Sequence, residues 1–129
     1  MITAFYAAFL GLIFFALTVF VIKGRFKYRV SLGDGGQEEM QRRIRAQANF
    51  AELVPFSLLL MVLCEMQGLP LVAVHVLGLS LLTGRLLHIR GLLTKEGASF
   101  GRTTGMILTG AVIVASSLWL LYKTAPNIF

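Results

Sequence analysis

The chain has 129 residues, of which 57% are hydrophobic and 14% are charged, and its formal net charge is +6. This length indicates one domain, and the apolar content exceeds that of an average soluble protein. The basic residues flank long apolar runs, which favours contact with anionic lipid headgroups and argues against nucleic-acid binding. A single cysteine, Cys64, excludes an intrachain disulfide and, inside an apolar run, is expected to be a packing residue.

Four apolar segments are long enough to form membrane helices, since a bilayer core needs about 20 helical residues. Residues 1–22 and 103–122 carry no charge, and the second of these runs ends in Trp119 and Tyr122, which suit an aromatic belt. The first run is too long for a cleaved signal peptide and should be retained as an anchor. The central runs, residues 50–67 and 69–93, are separated by a short turn at Gly68. We therefore predict one all-α membrane domain over residues 1–129, a four-helix bundle with helices at about 2–23, 36–67, 69–93 and 103–123.

Basic residues are concentrated in two of the three connections and predict the orientation in the membrane. The first connection, residues 23–48, contains seven of them, the third, residues 90–102, contains three, and the turn at Gly68 contains none. Positive charge favours the cytoplasmic side. We therefore expect the first and third connections in the cytoplasm and both termini outside. Lys123, near the C-terminus, is the one basic residue that does not fit this orientation.

The second helix is expected to begin before the bilayer. Asp34 is a candidate N-cap, and Gln37 follows three residues later as in a capping box. Glu38 and Glu39 place negative charge at the positive end of the helix dipole. The glycines around Asp34 leave a second reading open, in which this segment cradles an anion.

One face of the second helix carries a polar stripe. Its members recur at spacings of three and four and are Arg42, Arg45, Asn49, Glu52 and Phe56. Ionisable groups that enter a membrane are costly and normally face a partner or a wet cavity. Two interpretations follow: a structural ion pair between Glu52 and Arg85 bridged by Asn49, or a ligand site. Cations above a carboxylate would suit a zwitterionic ligand with several carboxylates.

Other polar or small residues in the apolar segments are expected to have structural roles. Glu65 and His75 flank the outer turn and are predicted to be interface or packing groups rather than ligands. Pro55 removes one backbone hydrogen bond inside the second helix. Gly97, Gly101 and Gly105 recur at intervals of four, a pattern that permits close helix packing.

Residues 45–56 read RAQANFAELVPF and resemble the signature of the MAPEG family, the membrane-associated proteins in eicosanoid and glutathione metabolism. Residues 84–91, GRLLHIRG, are similar to the end of the third helix in that family, and residues 28–36, YRVSLGDGG, are similar to the first loop of its small bacterial members. The resemblance covers nearly the whole chain.

The resemblance implies a homotrimer in which glutathione binds between neighbouring subunits as a co-substrate. No metal site is expected, because His75 and His88 are thirteen residues apart, which is not metal-ligand spacing. By position, Arg45, Asn49 and Glu52 would bind its carboxylates and amino group, Gln47 and Arg25 would reach it from a neighbouring protomer, and Arg85 and His88 would lie near the pocket. Arg102 is the nearest counterpart of the family's catalytic arginine, and Arg25 is the second candidate for activating the thiol. The chain departs from the eicosanoid-forming members, since Leu53, His88 and Leu92 stand where those enzymes have tyrosines.

Three functions are compatible with the sequence. The first is a membrane-bound glutathione transferase, with a possible peroxidase activity, that acts on hydrophobic electrophiles dissolved in the bilayer. The second is a non-catalytic membrane protein that binds lipid or glutathione. The third is a small multidrug transporter, which would be expected to carry a carboxylate in its first helix. The uncharged first helix disfavours the transporter.

Overall fold

The computed structural model describes residues 1–94 and 99–128 and contains four long helices followed by a single 3-10 turn. The helices are α1 (Ile2–Tyr28), α2 (Glu38–Met66), α3 (Leu71–Leu93) and α4 (Phe100–Thr124), and the turn covers Ala125–Asn127. All four helices are long and apolar enough to cross a membrane. The predicted all-α four-helix bundle is confirmed.

Two helices extend further than the sequence predicted. Helix α1 continues past Lys23 to Tyr28 and is closed by Arg29 in a left-handed conformation with φ of 54°. Helix α4 begins at Phe100 rather than near residue 103, because the Ser99 side chain accepts a hydrogen bond from the Arg102 backbone N–H at 3.3 Å. A helix can leave the hydrocarbon without ending, so the onset of charge marks the membrane boundary rather than the helix terminus.

The predicted capping box at the start of α2 is wrong. The N-cap is Gln37, which makes no side-chain capping bond, and Asp34 lies one turn upstream of it. The Asp34 carboxylate instead accepts from the Gly36 N–H at 2.9 Å, and its backbone carbonyl accepts from the Gln37 N–H at 3.0 Å. Asp34 therefore stabilises the loop through its own local turn, while acidic residues do occupy the first turn of α2 as expected.

The expected turn between α2 and α3 is present, and Gly68 provides it. This glycine has φ of +87°, a left-handed conformation that ends α2, and the Leu69 N–H donates to the Cys64 carbonyl at 3.0 Å. Nearby, both Glu65 carboxylate oxygens accept from the first backbone N–H groups of α1, at 2.5 Å from Ile2 and 2.9 Å from Thr3. Glu65 thus caps α1, and its predicted structural role is confirmed.

His75 and Cys64 also have the predicted packing roles. The His75 Nδ1 atom lies 2.9 Å from the Tyr6 hydroxyl, which joins α3 to α1. Cys64 is fully buried and approaches the Ser116 carbonyl at 3.5 Å. Both residues tie the helices together near the turn at Gly68.

Glycines bring α3 and α4 into close contact. A Cβ atom at Gly105 would lie 2.4 Å from the Gly84 carbonyl oxygen, and one at Gly101 would lie 2.8 Å from the Leu87 carbonyl oxygen. These two glycines confirm the predicted small-residue contact, while Gly97 lies outside the described residues. The backbones of α3 and α4 can approach this closely only where no side chain separates them.

A continuous apolar core joins all four helices. Its buried members are Leu10, Leu17, Ala46, Phe50, Val54, Met61, Leu81 and Val112. Large apolar side chains also cover the outside, and Phe5, Leu12, Phe15 and Leu118 are each more than half exposed. A soluble domain rarely exposes so much apolar surface, whereas lipid would cover it.

Candidate functional site

The polar stripe of α2 lies on the face that turns away from the core of the protomer. The side chains of Arg45 and Glu52 are 53% and 60% exposed, and the Arg45 Nη1 atom lies 4.0 Å from the Glu52 Oε1 atom. Phe56, one turn further along, is also exposed. The predicted stripe therefore exists as a surface, and within one protomer it is open to whatever surrounds the bundle.

Arg85 pairs with Asn49 and not with Glu52, so of the two interpretations of the stripe, the structural Glu52–Arg85 ion pair is wrong. The Arg85 Nη1 atom donates to the Asn49 side-chain oxygen at 2.9 Å. This bond joins α3 to α2 directly, because Asn49 lies nearer than Glu52 to the side of α2 that faces α3. The Glu52 carboxylate remains on the exposed face beside Arg45.

The guanidinium of Arg85 is fully buried and is only partly satisfied. Its exposed fraction is 0%, and its Nε and Nη2 atoms have no hydrogen-bond partner within residues 1–94 and 99–128. Asn49 supplies a neutral oxygen, which accepts one bond but does not balance the charge. A buried, incompletely paired cation is unfavourable, and a ligand anion is one way to compensate it.

His88 lies one helical turn after Arg85 and shares its surroundings. Its ring is 3% exposed, and the Nδ1 atom has no partner among the described residues. The Cβ atom of His88 lies against Gly105, where α4 crosses α3. Arg85 and His88 together place unpaired polar atoms in the interior, and Arg85 contacts Asn49 in the middle of the stripe.

Gln47 and Arg25 point away from the stripe of their own protomer. Gln47 donates from Nε2 to the Thr18 hydroxyl at 3.1 Å, on the side of α2 that faces α1. Arg25 lies in the last turn of α1, and its Nη1 atom donates to the Gly33 carbonyl at 3.0 Å. Gln47 therefore lies on the α1 side of α2, opposite the stripe, and Arg25 extends from α1 toward the loop that follows it.

Arg102 is part of a helix rather than of a connection. It occupies the first turn of α4, its side chain is exposed, and its backbone packs against Gly91 at the end of α3. Arg25 and Arg102 were expected in the connections at residues 23–48 and 90–102, and this is wrong, since each lies in a helix. This gives Arg102 a fixed position at the same end of the bundle as His88.

Arg43 is a structural cation that the sequence reading did not single out. Its guanidinium lies 3.8 Å from the centre of the Phe20 ring, donates to the Phe20 carbonyl at 2.9 Å and pairs with Glu39 at 2.6 Å. The same spacing of four joins Glu38 to Arg42, which also donates to the Thr94 carbonyl at 3.2 Å. In the sequence, these two acid–base pairs at a spacing of four residues were the pattern from which the contacts could have been predicted.

The fold defines a multi-pass membrane protein whose four helices carry the polar stripe and the partly satisfied Arg85 beside it. The sequence profile of the MAPEG family matches residues 3–122, and the chain belongs to this family. It is 35% identical over 124 residues to the inner membrane protein YecN of Escherichia coli strain K12, a match that covers 94% of this chain and 93% of that protein. YecN of Escherichia coli O6:H1 has the same identity and coverage.

Proposed function

We propose that this protein binds glutathione at the α2 stripe and conjugates it to hydrophobic electrophiles that partition into the bilayer. The observation that carries this proposal is the combination of an open Arg45–Glu52 stripe with the buried, uncompensated cation of Arg85. Glutathione has two carboxylates, one ammonium group and one thiol. Arg45 and Arg85 would compensate the carboxylates, Glu52 would face the ammonium, and Asn49 would bond to the peptide groups.

The stripe also supports assembly into a homotrimer. Arg45 and Glu52 lie on an apolar bundle, where direct contact with lipid would be unfavourable. In a trimer, the α1 side of one protomer, which carries Gln47 and Arg25, would close over the stripe of its neighbour. The ligand would then be enclosed between two subunits, as the family membership suggests.

A cleft on the side of α2 that faces α1, opposite the stripe of the same protomer, would suit an apolar second substrate, because in the proposed trimer this side closes over the stripe of a neighbour. It lies between α1 and α2, has a volume of about 220 Å³, and is lined by Phe14, Phe50, Pro55 and other apolar residues. Because Pro55 lacks an N–H, it leaves a carbonyl of the preceding turn without its usual helical donor. The cleft is otherwise apolar and accessible from the side of the bundle.

The chemistry would require only the glutathione thiol and a fixed positive charge. A free cysteine thiol has a pKa of about 8.5, so only a few per cent is thiolate at neutral pH. An arginine near the sulfur keeps its own proton and favours the thiolate. The thiolate would attack the electrophilic carbon to form a C–S bond, and the leaving group would depart with the electron pair. Arg102 is the first candidate for this role and Arg25 is the second.

The binding proposal is tested by calorimetric titration of the detergent-purified protein with glutathione. Arg45→Ala should weaken binding by about 1.5–3 kcal/mol, the range for a hydrogen bond to a charged group. Glu52→Gln should also weaken it, since the amide keeps the shape and removes the charge. Arg90→Gln, which removes an exposed charge on α3, is the control and should bind normally. Wild-type affinity in both stripe variants would place the site elsewhere.

The catalytic proposal is tested by the ultraviolet absorbance of bound glutathione thiolate as a function of pH. In the wild type the bound thiol should titrate below free glutathione, because each pKa unit reflects about 1.4 kcal/mol of preferential thiolate stabilisation. Arg102→Ala should move the titration back toward that of the free thiol, and conjugation of chlorodinitrobenzene should fall with it. Normal binding with an unshifted thiol would leave a non-catalytic glutathione-binding protein.

A further inference from the structure

A second cleft, with two arginines in its lining, lies at the end of α1 on the surface of the bundle. Its volume is about 430 Å³, and its lining residues are Ile22, Arg25, Phe26, Arg29, Val30 and Ser31. The first four of these recur at spacings of three and four, so two apolar side chains and two guanidinium groups share one face. The lining of the cleft therefore combines apolar side chains with two positive charges.

The positive charge of this cleft is not neutralised by its own lining, which contains no carboxylate. One nitrogen of Arg25 donates to the Gly33 carbonyl, a neutral acceptor that holds the side chain over the loop. Arg29 is exposed and stands in the left-handed conformation that ends α1. The two cations thus face the same space from adjacent turns.

The acidic groups closest in sequence are engaged in other contacts. The Asp34 carboxylate accepts from the Gly36 backbone N–H at 2.9 Å. The Glu39 carboxylate pairs with Lys27 at 3.2 Å and with Arg43 at 2.6 Å. An anion from outside the protomer is therefore the complement that this cleft favours.

The depth of the cleft identifies the kind of anion. Helix α1 has 27 residues, so at 1.5 Å per residue it is about 40 Å long, whereas the hydrocarbon core is about 30 Å thick. Lys23 is the first charged residue on α1, so the helix leaves the hydrocarbon near the start of the cleft. Phe26 is 81% exposed and Leu32 is 88% exposed beside the basic residues, as expected for side chains at the headgroup level.

We infer that this cleft binds the phosphodiester headgroup of an anionic phospholipid. The guanidinium groups of Arg25 and Arg29 bond to the phosphate oxygens, which suit their forked geometry. The Ser31 hydroxyl is available to the headgroup, and the first acyl carbons lie along Ile22 and Phe26. This cleft does not include any residue of the α2 stripe. Arg25 is shared with the glutathione proposal, whereas Arg29 belongs to the lipid site alone.

The test is native mass spectrometry of the detergent-purified protein titrated with phosphatidylglycerol and, separately, with phosphatidylcholine. The wild type should retain phosphatidylglycerol preferentially. Arg29→Asn should lower that retention about fivefold, the factor for one basic residue at a membrane surface. Asparagine tolerates the left-handed conformation, so the backbone at this position is preserved. Arg29→Lys keeps the charge and should retain most of the binding.

Arg90→Gln is the matched control, because it removes one exposed charge elsewhere at the same end of the bundle. Equal losses in Arg29→Asn and Arg90→Gln would show a diffuse charge effect and overturn the site. Competition by inorganic phosphate at the concentration of the lipid would identify a soluble anion as the ligand and also overturn it. Phe26→Ala gives a second variant with all charges intact and should weaken phosphatidylglycerol retention.

Glutathione affinity is measured on the same Arg29→Asn sample. An intact glutathione site with weakened lipid retention is the expected result. Unchanged lipid retention with intact glutathione binding would refute the lipid site alone. If the wild type does not bind glutathione but retains phosphatidylglycerol, only the proposed function is refuted. The two results are independent because Arg29 has no part in the stripe.

Discussion

Replacing Arg85 by methionine should not destabilise the ligand-free protein. The Arg85 guanidinium is fully buried and makes one hydrogen bond, to Asn49, while two of its nitrogens have no partner among the described residues. Replacing poorly compensated buried charges by apolar residues of similar volume is often neutral or stabilising by about 1–4 kcal/mol. We expect Arg85→Met to leave the free energy of unfolding unchanged or to raise it by about 1–4 kcal/mol. The same variant should have a lower affinity for glutathione.

Asn49→Ala should lower the free energy of unfolding, whereas Arg85→Met should not. It removes the single acceptor that the described residues offer to Arg85, at a cost of about 1.5–3 kcal/mol for a hydrogen bond to a charged group. Alanine regains up to about 0.7 kcal/mol because it is the better helix former. The free energy of unfolding should therefore fall by about 0.8–2.3 kcal/mol. In the Arg85→Met background the same change should be neutral or slightly stabilising, since no cation remains to be left unpaired.

The assay is equilibrium unfolding of the four proteins in mixed micelles of sodium dodecyl sulfate and a mild detergent, followed by circular dichroism. The coupling free energy of the double-mutant cycle isolates the Asn49–Arg85 bond. A loss of more than about 3 kcal/mol in Arg85→Met alone would be typical of breaking a compensated buried ion pair. That result would refute the interpretation that the buried charge of Arg85 is uncompensated in the absence of a ligand anion.

Three further predictions concern orientation, helix packing and assembly. In intact cells an impermeant thiol reagent should label Gln67→Cys and spare Ser31→Cys, and labelling of the second would reverse the topology. Gly105→Ala should destabilise the protein by about 1–3 kcal/mol, because the added Cβ would lie 2.4 Å from a carbonyl oxygen of α3, whereas Gly110→Ala has open space and should be neutral or better. Chemical cross-linking in the membrane should end at a trimer, and a ladder that stops at the dimer would contradict the shared site.

The membrane segments could be predicted from sequence because they depend on one local property. An uncharged run such as residues 1–22 needs only to match the thickness of a bilayer. Helix ends follow weaker rules, which explains the errors at Tyr28 and Asp34. The helix α1 continues through a basic segment that the bilayer no longer requires to be helical, and Asp34 has a local backbone partner that competes with capping.

The polar stripe was also visible in the sequence, because Arg45, Asn49 and Glu52 share a face of any regular helix. The sequence did not show which of these three residues contacts Arg85. That contact depends on the rotation of α3 about its axis relative to α2, and this rotation depends in turn on the close approach of Gly84 to Gly105 on α4. No periodicity within one helix contains this information.

The sequence by itself thus determined the number of helices, the residues that share the stripe and the segregation of positive charge, since each follows from helical spacing or from the bilayer. Only the tertiary structure decided that Asn49, rather than Glu52, bonds to Arg85 and that Glu52 remains exposed beside Arg45. The physical reason is that side chains on different helices meet according to helix rotation and separation. Both are set by packing among residues far apart in the chain.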